Sequence, residues 1–289
     1  MNNQGRASQI LFHIIFIVFC LFTTIPFILT IIVSVTDEKS VVNNGYRFIP
    51  DHFSLDAFRL IFASSEIYNA YGVSLIVTLL GTGLSLLVTT TLAYAIAVPK
   101  VKYRNVIALF IFIPMIFNAG LVPWYIFITK YLHLKNSIFA LILPMLVSPF
   151  NVFLVRNYFK SLPPALVESA EIEGANPLYI FVKIILPLST PITATIALFY
   201  SLAYWNDWNL ALWLIDEREL YPLQFMLFKI QSMINYMSSG GNYGVGSTTL
   251  PSVTAQMAMV LVTIGPIILM YPFVQKYFIK GIMIGAVKG

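Results

Sequence analysis

Six apolar stretches dominate this chain, each close to or beyond the about 20 residues an α-helix needs to cross the hydrocarbon core of a bilayer. They run over about 10–35, 70–98, 106–129, 138–155, 184–210 and 255–273. Lipid offers the backbone no hydrogen-bond partners, so a spanning stretch must satisfy its own N–H and C=O groups, as a helix does. The balance of residue types agrees: hydrophobic residues make up 58% and charged residues 10% of the 289, against about 25% charged in soluble domains. A water-exposed domain with so few charges could not cover its own surface. The expected fold is an all-α membrane protein with six transmembrane helices, forming a single membrane domain over 1–289.

The first stretch is too long for the roughly 7–15-residue apolar core of a signal peptide, and no small-x-small cleavage site follows it. It is read as a retained span, kinked at Pro26. Lysine and arginine then orient the bundle. Lys100, Lys102 and Arg104 crowd one short connection without an acid, and basic residues collect in short cytoplasmic loops. Both termini are therefore expected in the cytoplasm, and the long loops over about 36–69 and 211–254 outside.

Several classes of function find no support. Cys20 is the one cysteine and lies inside an apolar run, where a buried, inert thiol is expected and no disulfide framework is available. His13, His52 and His133 are scattered, without the spacing of a metal site. There is no GxxxxGK[ST] phosphate loop, so the chain does not itself bind and hydrolyse a nucleotide. Gly81-Thr82-Gly83 lacks a third glycine at Leu86, and inside a span such small residues serve close helix packing. No internal repeat of the kind seen in stand-alone secondary transporters is evident, and no catalytic constellation suggests a membrane enzyme. The scattered positive charge makes no stripe for nucleic acid.

The richest segment is the cytoplasmic connection between spans four and five, from Ser161 to Pro191. Pro163 and Pro164 suit the first turn of a helix, where a missing N–H costs nothing. Ala165 to Glu173 are mostly helix formers, and Gly174 is a natural stop. Asn176 can cap a second helix with Pro177 at its first position, and Pro187 interrupts that helix. The result is a helix–turn–helix at the inner face of the membrane. Its carboxylates, Glu168, Glu171 and Glu173, stand on a side that otherwise gathers positive charge. On physical grounds alone this is either an interfacial connector or a docking element, since an exposed carboxylate on a short helix can pair with a basic groove.

The residues of this loop resemble a family signature. Glu168-Ser169-Ala170, three residues, Gly174, nine residues, then Ile184-Ile185-Leu186-Pro187 is similar to the EAA motif of membrane (permease) subunits of bacterial ABC importers, with every gap kept. Ser169 stands where the family usually has alanine, and Glu173 where many members have aspartate. Leu92-Ala93-Tyr94-Ala95, Val122-Pro123-Trp124 and the tail from Tyr271-Pro272-Phe273 to Gly289 resemble the carbohydrate-uptake, MalG-like branch, closest to the LplC/YtcP type. The resemblance covers essentially the whole chain after the first span.

That resemblance implies a type I importer architecture with a cytoplasmic coupling helix between spans four and five. It implies a second, homologous permease subunit, two cytoplasmic ATPase subunits and an extracytoplasmic sugar-binding protein as partners. ATP and Mg would sit on the ATPase subunits and no cofactor on this chain. The solute would be a carbohydrate, an oligosaccharide or a polysaccharide fragment; a non-sugar solute is the alternative within the same superfamily. Glu168, Ser169, Ala170, Glu173, Gly174, Ala175 and Pro187 would form the coupling region, with Glu168 as the charged contact. For the substrate path, Tyr204-Trp205-Asn206-Asp207-Trp208 offers aromatic stacking and polar groups near the outer end of span five, and an acid at membrane depth is a functional flag. An interfacial aromatic belt fits the same run equally well. Asn118 in span three is a further candidate, with an interhelical hydrogen bond as its other reading.

Overall fold

The computed structural model describes residues 3–238 and 253–268. Nearly all of these are helical; among the described residues, extended pairing is confined to one antiparallel bridge between Thr36 and Phe53. The chain divides into two compact units, Met1–Tyr68 with Leu227–Gly265 and Asn69–Met226 with Pro266–Gly289.

In the first unit, α1 (Asn3–Ser34) contains Pro26. Its apolar window has a mean hydropathy of 2.7, yet none of it is buried within the protein. Cys20 is exposed with it, against the expectation of a buried thiol, because no described residue covers this stretch of α1. Around the proline, hydroxyls bond back to the helix: Thr24 Oγ1 donates to the Cys20 carbonyl at 2.7 Å and Thr30 Oγ1 to that of Pro26 at 3.0 Å. Such back-bonding accompanies helix bending.

Beyond α1 come α2 (Glu38–Asn44), capped by the Asp37 carboxylate, and α3 (Asp56–Ala63). The Glu38 carboxylate also caps a distant helix, α15 (Val253–Ile268), which follows α14 (Leu223–Ser238) in the chain. It accepts from Val253 N at 3.1 Å, Thr254 N at 3.0 Å and Thr254 Oγ1 at 2.6 Å. First-turn N–H groups have no partner within their own helix, and the helix dipole favours a negative charge there. The end of the sixth apolar stretch, the tail motif and the glycine-rich run after Ser238 lie outside the described residues.

The second unit is organised on α4, which runs over Ser65–Ala97, about 50 Å at 1.5 Å per residue. The third apolar stretch is not one helix. α5 (Arg104–Ile116) and α6 (Leu121–Ile126) are separated, and a π-helical turn, Phe127–Tyr131, follows. Pro114 weakens the helix before the gap, the Asn118 side chain takes the Gly120 N–H at 2.8 Å, and Gly120 sits at φ +84°; each step diverts the backbone from helical bonding.

The fourth stretch bends by 52° between Ile138–Met145 and Pro149–Ser161. Its parts are α7 (Ile138–Ile142), a 3₁₀ turn and α8 (Pro149–Ser161). The fifth bends by 81° at Ser189, between Pro177–Leu188 and Thr190–Asn206. The helical path thus runs past Pro187 before it breaks. Pro191 has no N–H to give the Pro187 carbonyl, and Thr190 Oγ1 donates to that carbonyl instead at 2.7 Å. The fifth apolar stretch, over about 184–210, is thus broken at Ser189 into two helical parts. By length and composition, two described helices can cross a membrane, or up to four if each bent pair is one span.

Candidate functional site

The loop over 161–191 folds as its residues dictate. α9 (Pro164–Ile172) opens on Pro164, and Gly174 closes it at φ +83°. Gly174 N donates to the Glu171 carbonyl and Ala175 N to that of Ala170, each at 3.0 Å. This pair of bonds is a Schellman turn, which needs its closing residue in the left-handed region that glycine adopts freely. A side chain at Gly174 would meet open space, so the glycine is required by backbone conformation and not by crowding. Asn176 Oδ1 then accepts from Tyr179 N at 2.8 Å, and Pro177 opens α10 (Pro177–Ile180). A π-helical segment, Phe181–Ile185, and α11 (Leu186–Leu188) carry the chain to the bend.

Within α9, Ala170 is buried while Glu168 and Ser169 are exposed, as are Glu173 and Gly174 beyond it. Among the described residues Glu168 has no ion-pair partner. Glu171 is committed: Lys100 Nζ lies 2.6 Å from Glu171 Oε2. The first half of the loop lies over a cavity of about 490 Å³ whose lining includes Tyr94, Lys100, Phe159, Lys160, Glu168 and Glu171. Tyr94, near the end of α4, reaches the second half. Its hydroxyl donates to the Pro177 carbonyl at 3.3 Å, and its ring stacks on Phe181 with centroids 4.8 Å apart. Arg156 Nε donates to the Ile96 carbonyl at 3.3 Å, capping the last turn of α4 with a cation, as a helix C-terminus favours.

Deeper in the same unit α4 meets α12 (Thr190–Asn206) along a polar seam. Gly81, Ser85 and Thr89 recur at four-residue steps on α4, as Tyr200 and Tyr204 do on α12, so each set lies on one helix face. Tyr204 Oη donates to the Ile142 carbonyl at 3.0 Å. With its one proton used, it accepts from Ser85 Oγ at 2.9 Å. Tyr200 Oη lies 2.7 Å from Thr89 Oγ1 and accepts from Ser148 N at 2.9 Å. Ile142 and Ser148 flank the 52° bend, where the helix leaves backbone groups without their usual partners, and the tyrosines supply replacements. Gly81 admits the Tyr204 ring: a Cβ there would fall 2.7 to 2.9 Å from ring carbons.

The expected substrate run divides. Tyr204 and Trp205 are buried inside the protein, 3% and 4% exposed, and Tyr204 serves the seam. Asn206 is exposed, donates to the Leu202 carbonyl at 2.9 Å and accepts from Gln224 Nε2 at 3.1 Å. Asp207 is half-buried and accepts from Leu210 N at 3.0 Å, capping α13 (Asn209–Leu214). Trp208 is exposed. Asn118 bonds locally, within the gap before α6.

Sequence reasoning missed Tyr94 and Lys100 as loop contacts, and Ser85, Thr89 and Tyr200 as a seam. The seam did have a signal, in small and hydroxyl residues at four-residue spacing in one span and tyrosines at the same spacing in another.

No protein-family profile matches the sequence. Curated relatives do. The chain is 37% identical over 287 residues to the polygalacturonan/rhamnogalacturonan transport system permease protein YtcP of Bacillus subtilis, covering 99% of this chain and 100% of that one. It is 36% identical to LplC of the same organism, over 92% of this chain and 90% of the relative. With the arabinooligosaccharides transport system permease protein AraQ of Halalkalibacterium halodurans it shares 31% identity, over 91% of each. Among solved structures, a chain of a bacterial ABC transporter that imports the acidic polysaccharide alginate superposes with a TM-score of 0.82 at 28% identity, over 96% of this chain and 99% of that one. A second alginate transporter structure, in complex with a pentasaccharide-bound periplasmic protein, shares the fold at a TM-score of 0.62 and 14% identity.

Proposed function

This chain belongs to the permease subunits of bacterial carbohydrate ABC importers, and on that premise we propose that it forms half of a translocation path for an oligosaccharide or polysaccharide fragment. The observation that carries the reading is the Ser161–Pro191 loop. A family signature matched in every gap folds as a short helix, closed by a Schellman turn at Gly174, with the Glu168 carboxylate exposed and unpaired among the described residues. Such a helix is a docking element for a basic groove on a cytoplasmic ATPase. Glu168 makes the charged contact, Ser169 and Ala175 allow close approach, and Gly174 fixes the turn. Glu173 and Pro187 bound the loop's two halves.

The importer reading requires partners: a second permease, two ATPase subunits that bind the ATP and Mg, and an extracytoplasmic sugar-binding protein. It also requires both termini in the cytoplasm and six crossings of the bilayer, with α5 and α6 forming the third and the bent pairs the fourth and fifth. At the outer end of α12, the exposed Asn206 and Trp208 with Asp207 are the groups placed to meet a sugar. Tyr204 and Trp205 hold that end in position from within, and Asn118 shapes the gap in the third crossing.

Two experiments test the reading. A tagged copy drawn from its native membrane in mild detergent is expected to bring down a second six-span permease and an ATPase with a phosphate loop. A chain that comes down alone and still transports when reconstituted alone would overturn it. Uptake by the assembled importer is expected for oligosaccharides and absent for amino acids and peptides of similar size; the reverse preference would move the chain to a non-sugar branch.

A further inference from the structure

We infer that Tyr94 of α4 and Lys100, in the turn just past its end, are positioning residues that tie the coupling loop to the membrane helices and deliver its movement to them. The inference rests on the coupling role proposed for that loop. α9 is not seated by an apolar face: of its nine residues Ala170 is the buried one, and the cavity of about 490 Å³ lies beneath it. An element held off in this way follows its few direct ties. α4 and the turn that follows it provide two, on opposite sides of the Gly174 turn. Lys100 pairs with Glu171 before the turn; Tyr94 bonds Pro177 and stacks on Phe181 after it. The Schellman bonds join the two halves of the loop, so a pull on either half reaches α4.

α4 then continues to Ser85 and Thr89. These bond the tyrosines that hold the 52° bend. The ties thus lie between the docking helix and a flexure of the membrane bundle.

Magnitude separates this role from a structural one. The Lys100 and Glu171 side chains are 73% and 33% exposed, and a pair in such surroundings adds little to stability. Its loss leaves the fold intact, so a defect in coupling cannot be put down to unfolding.

The test uses the complete importer, with its ATPase, partner permease and binding protein, in proteoliposomes. The quantity read is solute transported per ATP hydrolysed, alongside the ATPase content of the purified complex. Lys100→Glu and Glu171→Lys are each expected to lower the ratio about tenfold, and the double charge swap to restore it to within about twofold. Tyr94→Phe keeps the ring and loses the bond to Pro177, and is expected to lower the ratio about twofold. A wild-type ratio in both charge-reversed variants, or a swap no better than either single change, would overturn the tie. Glu168→Lys, measured in parallel, separates the two levels. If it uncouples while the swap fails to rescue, only the tie falls; if it leaves the ratio unchanged, the coupling role itself falls.

Discussion

The loop over 161–191 and the α4–α12 seam are both polar, and they use their polarity in opposite ways. In the seam Tyr200, Tyr204, Ser85 and Thr89 are buried, and every one of their hydroxyls is hydrogen-bonded. In the loop Glu168, Ser169 and Glu173 are exposed, and the one ion pair is open to solvent. A buried hydrogen bond lost from one side leaves its partner unsatisfied, at about 1–3 kcal/mol, whereas an exposed charge removed costs the fold almost nothing. Polarity in the seam therefore holds the structure, and polarity in the loop is free for a partner. Changes in the two regions should separate cleanly into loss of fold and loss of coupling.

The largest effect on the fold is expected from Tyr204→Ala. It removes a buried aromatic ring and both of its hydrogen bonds, about 3–5 kcal/mol, read as lost yield of folded protein and a lowered Tm in detergent. Tyr204→Phe keeps the ring and strands the Ile142 carbonyl and Ser85 hydroxyl, for about 1–3 kcal/mol; a Tm equal to wild type would mean the seam does not hold the bend. In the other unit, Glu38→Ala strips the first turn of α15 of its carboxylate cap and is expected to cost about 1–2 kcal/mol, checked by faster hydrogen exchange at Val253 and Thr254. Gly174→Ala places a side chain at φ +83°, with about 1–2 kcal/mol of strain confined to the turn. Its transport per ATP should fall while the Tm stays near wild type. If it instead unfolds the protein, the contrast between the two regions breaks. The smallest effect on stability is expected from Glu168→Lys, within about 0.5 kcal/mol.

Much of the loop was legible before any coordinates. Pro164, Gly174, Asn176 and Pro177 each act through local backbone chemistry, and α9, its closing turn and the cap of α10 lie where those residues imply. The spans were legible as apolar length but not as shape. An apolar run reads the same whether straight or bent, so the gap at Asn118–Gly120 and the bend at Ser189 were hidden although Pro114, Pro187 and Pro191 marked their neighbourhoods. The seam and the Tyr94 and Lys100 ties are pairings between residues about 50 to 120 positions apart, and one sequence does not state which residues meet. Tyr204 and Trp205 illustrate the cost. As residue types they suit a sugar, yet burial gives them to the protein's own interior.

The most direct test of the account is transport per ATP by the reconstituted importer carrying Glu168→Lys, set against the Tm of the same preparation. The account predicts a fully folded complex that hydrolyses ATP with little or no uptake. A variant that transports with wild-type efficiency would contradict it, and α9 would then be a connector at the membrane face.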